Sequence, residues 1–331
     1  MRHTYARRAG TIAAVLAVAI PLVACGEDGG SEASGSGEPN ETEVVTHNEA
    51  GGGSDLFTRA IIEIMKDEDI ISGNWPVANV PEGDSIGAMA YLVERQGSSD
   101  AIAQITPTWL VTPMTVDGEI PTLEDLTPIA ELATEPMVVA VRADSPYENL
   151  QDFIDAAESD PNLVQVGGST TATDSLTGTV LKQETGVDWK FLSFEDSGSR
   201  ITAVLRGDAD VMFGSPGDFT EQVRAGDMKV ITVFGAEKIP LYEDAVTTDE
   251  LGITPEVLPE QFRAIVGAPD MPQEAVDFYE QAFQELVESD GWASYAEENG
   301  AVTEYRDGED FEVFLGEQRE LYTTLIEQLG L

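Results

Sequence analysis

Four short runs of glycine, serine and threonine are where this chain could do chemistry: Gly51-Gly52-Gly53-Ser54-Asp55, Gly167-Gly168-Ser169-Thr170-Thr171, Glu195-Asp196-Ser197-Gly198-Ser199 and Gly214-Ser215-Pro216-Gly217. Each follows a short apolar run and opens a helix-like pattern. A helix N-terminus presents unpaired N–H groups and about half a positive charge, and glycine lets a ligand approach the backbone. Such loops can hold an anion without lysine or arginine. Ser, Thr and Gly also begin ordinary helices. The fourfold recurrence is what points to a shared cleft.

Other chemistries find little support. The two histidines are His3 and His47, so a nucleophile–base pair would have to be Ser54 with His47, and no Gly-x-Ser-x-Gly elbow presents a nucleophile. His47 otherwise reads as a loop residue lining or flanking a cleft. Zinc lacks ligands, no loop has EF-hand spacing, and Walker and Rossmann glycine patterns are missing. The reading is a non-enzyme with no cofactor. Trp75, Trp189 and Trp292 read as core; Trp109, after Thr106-Pro107-Thr108 at a strand end, reads as nearer a site, and Thr106 joins the candidates.

Alternating strand and helix patterns position these loops. Strands are expected at 43–46, 75–80, 101–105, 137–141, 163–166, 190–194, 209–213 and 228–234. Phe57, Ala60, Ile61 and Ile64 recur at helical spacing, with Ser54 as N-cap. Further helices are expected near 85–94, after Ser145-Pro146, after each later loop, and over 273–288 and 309–329. The order argues an α/β fold with mainly parallel sheets.

Ahead of this body, Arg2, Arg7 and Arg8 precede an apolar run over 11–23, which is a secretory signal pattern. Leu22-Val23-Ala24-Cys25 resembles the bacterial lipobox, so Cys25 is expected to be lipidated after removal of residues 1–24. Two acyl chains would anchor the chain stably at the outer face of the cell membrane. Residues 25–42 then read as the lipidated cysteine and a flexible linker. The chain has 17 Lys+Arg against 62 Asp+Glu; losing three arginines with the signal leaves 14 − 62 = −48. Nucleic acid is thereby excluded as a partner, and salt would be needed to screen self-repulsion, as in a salt-loving source.

Several stretches are similar to the substrate-binding proteins of tripartite tricarboxylate transporters, the Bug receptors. Gly51 to Asp55 with Arg59 resembles their first loop. Asn79-Val80-Pro81-Glu82-Gly83 resembles their Asn-x-Pro-Gly turn with one extra residue. Leu126-Thr127-Pro128-Ile129-Ala130-Glu131-Leu132 through Arg142-Ala143-Asp144-Ser145-Pro146 is a long match, followed by Leu205-Arg206-Gly207-Asp208-Ala209-Asp210 and Glu221-Gln222-Val223-Arg224-Ala225-Gly226. The first loop departs from the family, reading Thr46-His47-Asn48-Glu49-Ala50 where proline is usual, and acidic Glu195 and Asp196 flank the third. The resemblance implies a bilobed, periplasmic-binding-protein-like α/β fold. Lobe 1 is expected at 43–138 plus 262–331 and lobe 2 at 139–261, joined by a two-segment hinge. It also implies a monomeric receptor that binds a small carboxylate and delivers it to the small and large membrane subunits of a transporter. A ligand-presenting lipoprotein for a sensor and a non-transport surface lipoprotein stay open. Loop chemistry and resemblance together place the ligand at Gly52, Gly53, Ser54 and Asp55 from one lobe. Ser169, Thr170, Thr171, Ser197, Gly198, Ser199 and Ser215 come from the other. The first and second loops would take the ligand's carboxylates on backbone N–H groups. Asp55 would fix its loop or orient water, pairing with Arg59.

Overall fold

The computed structural model describes residues 38–194, 196–255 and 258–329; the expected export signal and Cys25 lie outside them. The first strands and helices are β1 (Glu43–Thr46), α1 (Gly53–Asp67), β2 (Val77–Asn79), α2 (Ile86–Val93), β3 (Ala101–Ile105), α3 (Thr108–Met114) and β4 (Thr127–Glu135). Then come β5 (Val138–Arg142), α4 (Leu150–Ser159), β6 (Val164–Gly167), α5 (Thr173–Thr185), β7 (Lys190–Ser193), α6 (Ser197–Arg206), β8 (Val211–Gly214), α7 (Thr220–Ala225), β9 (Met228–Val233), β10 (Val246–Thr247) and α8 (Thr248–Leu251). The chain ends with β11 (Gln261–Gly267), α9 (Gln273–Glu288), α10 (Asp290–Asn299), β12 (Val302–Asp307) and α11 (Gly308–Leu329).

These strands form two six-stranded sheets, ordered β12-β4-β11-β3-β1-β2 and β10-β9-β5-β8-β6-β7. Each sheet with its helices makes one lobe. Both faces of each sheet are covered, so β3 (Ala-Ile-Ala-Gln-Ile) is buried throughout and carries no polar alternation. In β1, Val44 and Val45 point to opposite faces and enter different cores. Val44 packs with Phe57, Ile61, Trp75, Tyr279 and Trp292, and Val45 with Ile105, Trp109, Phe262 and Phe311. The second sheet is likewise packed on one face by Phe153, Trp189 and Phe213 and on the other by Val204, Met212 and Phe219.

The sheets are mixed, which corrects the expectation of mainly parallel ones. β1 pairs in parallel with β2 and β3, and β6 with β7 and β8. β11 is antiparallel to β3 and β4, and β5 to β8 and β9. The cause lies in how the chain changes sheets. It runs from β4 straight into β5 through Pro136 and Met137, and returns at β11. β5 and β11, the strands on which the chain enters the other sheet, therefore run against the βαβ strands beside them, while β4 keeps the direction of β3.

Three local expectations also change. Gly52, not Ser54, is the N-cap of α1, because Asn48 Oδ1 accepts the Ser54 N–H at 2.9 Å and does the capping from outside the helix. Asn149, not Ser145-Pro146, caps α4, its side chain accepting from the Asp152 N–H. The end of the expected linker is seated on the body: the Glu38 carboxylate accepts the N–H groups of Ser72 and Gly73 at 2.8 and 2.6 Å, and Thr42 bonds Tyr279 at 3.0 Å.

Candidate functional site

The loops after β1, β3, β6, β7 and β8 sit at the C-terminal ends of strands, where α/β folds place ligands. They meet between the lobes around a cavity of about 100 Å³. Gly53, Ser54, Thr106, Ser169, Ser197 and Ser215 line it. Gly52, Asp55, Thr170, Thr171, Gly198 and Ser199 are not among its lining residues, and Thr170 is exposed.

Asp55 serves its loop. It accepts the Gly51 N–H at 2.9 Å, the Asn79 amide at 2.9 Å and the Arg59 guanidinium at 2.8 Å. Burial opposes its ionisation, but these donors hold it below the usual carboxylate range.

The same pattern recurs at the other three loops. Asp174 accepts the Gly168 N–H at 2.8 Å, Asp196 the Ser199 N–H at 2.8 Å, and Asp218 the Ser215 N–H at 3.2 Å. Every one of the four loops thus carries its own carboxylate on a backbone donor. This narrows the expectation of bare N-termini awaiting an anion. Gly53 N–H is a donor at the cavity with no protein acceptor among the described residues.

Several groups at the cavity carry no signal in the sequence. Arg263, on β11, and Arg200, on α6, line it, so the cleft does hold cations. Arg263 donates Nε and Nη2 to Glu135 at 2.9 Å each, and both side chains are over nine-tenths buried. Arg200 lies 3.5 Å from Asp174. Asp84 and Asp218 also line the cavity. Burial pushes the Asp218 carboxyl up, with Arg200 opposing and Glu135 reinforcing.

His47 is 7 % exposed and lines the cavity. Trp109 Nε1–H donates to its Nδ1 at 2.9 Å, and an indole N–H can only donate. The imidazole proton therefore sits on Nε2. Burial lowers the pKa to about 4, with Asp84 raising it and Arg263 lowering it, so His47 is a neutral donor at pH 7. Its Nδ1 is taken by Trp109 rather than by Ser54, which removes the hydrolase arrangement. Among the described residues no cluster of His, Cys, Asp or Glu could hold a metal ion.

The lobes touch across the cavity. Thr171 Oγ1 donates to Asp84 Oδ2 at 3.0 Å and lies 3.1 Å from Thr112 Oγ1. Thr173 donates to Gln261 at 2.7 Å, and Ser215 donates to Glu135. This is a closed arrangement, with the second-loop threonine spent on the opposite lobe.

Burial also makes opposed pH effects. His47 binds fewer protons folded than unfolded between its lowered value of about 4 and the ordinary 6.5, so it withdraws stability as pH falls through that window. Buried Glu131 is pushed up to about 7 by desolvation, against the pull of Arg306, and its Oε1 has no partner among the described residues. It binds more protons folded, so its contribution is present in acid and lost as pH rises from about 4.5 to 7. Urea unfolding at pH 4.5 and 6.5 should show His47→Gln losing less stability in acid than wild type and Glu131→Gln losing more. Parallel behaviour of all three would contradict the assignment.

Residues 79–331 match the family described as tripartite tricarboxylate transporter family receptor. A UPF0065 protein of Bordetella pertussis is 21% identical over 63% of this chain and 65% of its own length. Another UPF0065 protein, of Bordetella bronchiseptica, is 21% identical over 85% of this chain and 83% of its own. Among solved structures, the periplasmic binding protein BugD superposes with a TM-score of 0.79 at 19% identity, over 88% of this chain and 99% of that one. MatC from Rhodopseudomonas palustris with bound malate gives 0.74 at 18%, over 87% and 97%. An R. palustris protein with adipate gives 0.78 at 19%, over 88% and 97%. The bilobed periplasmic-binding-protein fold is therefore shared, and the chain belongs to the tripartite tricarboxylate transporter receptor family, whose members are receptors and not enzymes.

Proposed function

We propose that this chain is an extracytoplasmic, lipid-anchored receptor that closes its two lobes on a small carboxylate and delivers it to the membrane subunits of a tripartite transporter. The observation that carries this is the polar cavity between the lobes, lined from both sides by strand-end loops. The segments near 136–141 and 262–268 serve as the hinge, and closure about ligand follows from two rigid sheets joined by so few strands. Bound malate and adipate in related folds support the ligand class. The test is a thermal-shift screen in molar salt against small carboxylates, plain and amino-substituted. A ligand at 100 times its Kd should add about 2.7 kcal/mol. A flat response across the panel would reject the receptor reading.

Anchoring rests on Leu22-Val23-Ala24-Cys25 at the end of an apolar run. Expressed with its signal in a suitable bacterium, Cys25→Ser should leave the protein out of the membrane fraction. Undiminished partitioning of that variant would overturn the lipid anchor.

A salt-adapted surface follows from the formal charge of −45 for the whole chain. The melting temperature should climb steeply from about 0.1 to 1 M salt, as the Debye length falls from about 10 to 3 Å. A salt-independent melting temperature would contradict it.

A further inference from the structure

The end of α10 touches the other lobe beside the cavity. Trp292 of α10 packs in a core of the first sheet, whereas the single-turn helix Pro216–Phe219 follows β8 of the second. A Cβ on Gly217 would lie 2.7 Å from Asn299 Oδ1 and 3.2 Å from Asn299 Cβ. A Cβ on Gly300 would lie 2.7 Å from Pro216 Cβ and 3.4 Å from Ile239 Cδ1. Gly300 ends α10 at φ 64°, which by itself calls for glycine. Gly217 has no such reason, since its φ is not left-handed. The space that a side chain would need there is filled by the opposite lobe.

Both sides of this contact are held from behind. Asn299 Nδ2 donates to the Tyr295 carbonyl oxygen at 2.8 Å, and the Tyr295 ring stacks on Trp292 at 5.7 Å and stands edge-on to Phe57 at 6.0 Å. On the other lobe, buried Tyr242 donates its hydroxyl to the Pro216 carbonyl oxygen at 2.7 Å. The contact nevertheless has little to hold it together. Among the described residues it is crossed by one long hydrogen bond, from the Thr220 hydroxyl to the Glu298 carbonyl oxygen at 3.4 Å. Gly217, Asn299 and Gly300 are only half-buried. A stiff contact with little adhesion acts through its shape, because closely packed atoms resist compression. It bears directly on the fourth loop, whose Ser215 and Asp218, on either side of 216–217, line the cavity.

We infer that Asn299 against Gly217 is the stop that sets how far the two lobes close. Neither residue is among those lining the cavity, so this pair fixes the length of molecule the cleft accepts without touching it. The inference rests on the receptor reading above and adds the limit of its closing motion. The lobes approach until Gly217 meets Asn299, and the fourth loop comes to rest there. Bare backbone at Gly217 lets the lobes come closest; a methyl group there would hold them further apart.

The test is calorimetry and small-angle scattering in 1 M salt with a graded series of acids: malonate, succinate, glutarate and adipate. Gly217→Ala should weaken the acid that wild type binds best roughly tenfold, the usual size of effect for an extra methyl in a filled contact, and move the preference toward a longer acid. Saturated with that acid, the variant should keep a larger radius of gyration than wild type. Its ligand-free melting temperature should be unchanged or slightly higher, since alanine at an ordinary φ stiffens the unfolded chain. Adding Asn299→Ala removes Oδ1 and leaves the Cβ at 3.2 Å, so the double variant should recover most of the affinity. Undiminished affinity in Gly217→Ala, or no recovery in the double variant, overturns the stop while leaving the receptor intact. A ligand-free melting temperature several degrees lower does the same, because it marks a joint that never opens. A wild type that binds none of the acids overturns the receptor reading, on which the stop rests.

Discussion

Gly53→Val should abolish ligand binding and leave the fold standing. A Cβ at Gly53 would meet only the Arg263 Nη2, at 3.9 Å, so the backbone accepts a side chain there. The added methyls would project into a cavity of about 100 Å³ and shield the Gly53 N–H. Valine is no worse a helix former than the glycine it replaces, so the melting temperature should move by only a few degrees. Affinity should fall at least a hundredfold by titration calorimetry. Gly52 is the contrast. A Cβ there would lie 2.8 Å from Asn48 Cβ and 3.1 Å from the Glu49 carbonyl oxygen. Gly52→Ala should therefore displace the loop itself and lower both stability and binding. If Gly53→Val binds as wild type does, the first loop is not at the ligand.

Arg263→Met should destabilise the protein by about 3–5 kcal/mol, the usual consequence of leaving one buried charge without its partner. Glu135 is 6 % exposed and receives both guanidinium bonds. It would keep only the Ser215 hydroxyl. Arg263 also lies over the Phe57 ring at 5.2 Å, so methionine is chosen to keep some of that packing. The double variant Arg263→Met with Glu135→Gln should recover a good part of the loss, since it removes both charges. Urea unfolding reads both. A loss under about 1 kcal/mol in the single variant, or no recovery in the double, would show that the pair contributes little to the fold.

Much of the scaffold is legible in the sequence because its signals are local. β1 over 43–46, β3 over 101–105 and α9 over 273–288 have the residues expected of them. Strand β4 resembles the family in its residues but does not announce itself as a strand. It carries Pro128, Glu131 and Glu135, which mark turns or surface until Arg306 and Arg263 arrive from β12 and β11 to pair the acids. β12 and α10 are hidden in the same way, by a half-exposed strand and by a helix start, Ser289, that reads as part of α9's end. At the site, the four loops are visible through glycine and serine. Their occupation by Asp55, Asp174, Asp196 and Asp218 is less so, though each acid lies in or next to the first turn of its helix, where carboxylates are favoured. Asp84, Arg200, Arg263 and the Trp109–His47 bond come together only when distant strands close the sheets. No spacing along the chain announces them.

If the ligand sits between the lobes, a crystal structure with the tightest ligand from the carboxylate screen will show it there. One molecule is expected in the cleft. Its carboxylate should lie within hydrogen-bond distance of His47 Nε2 and the Gly53 N–H, with Ser169 and Ser215 facing it from the other lobe. A ligand bound on the outer surface of either lobe, with the cleft filled only by solvent, would contradict it.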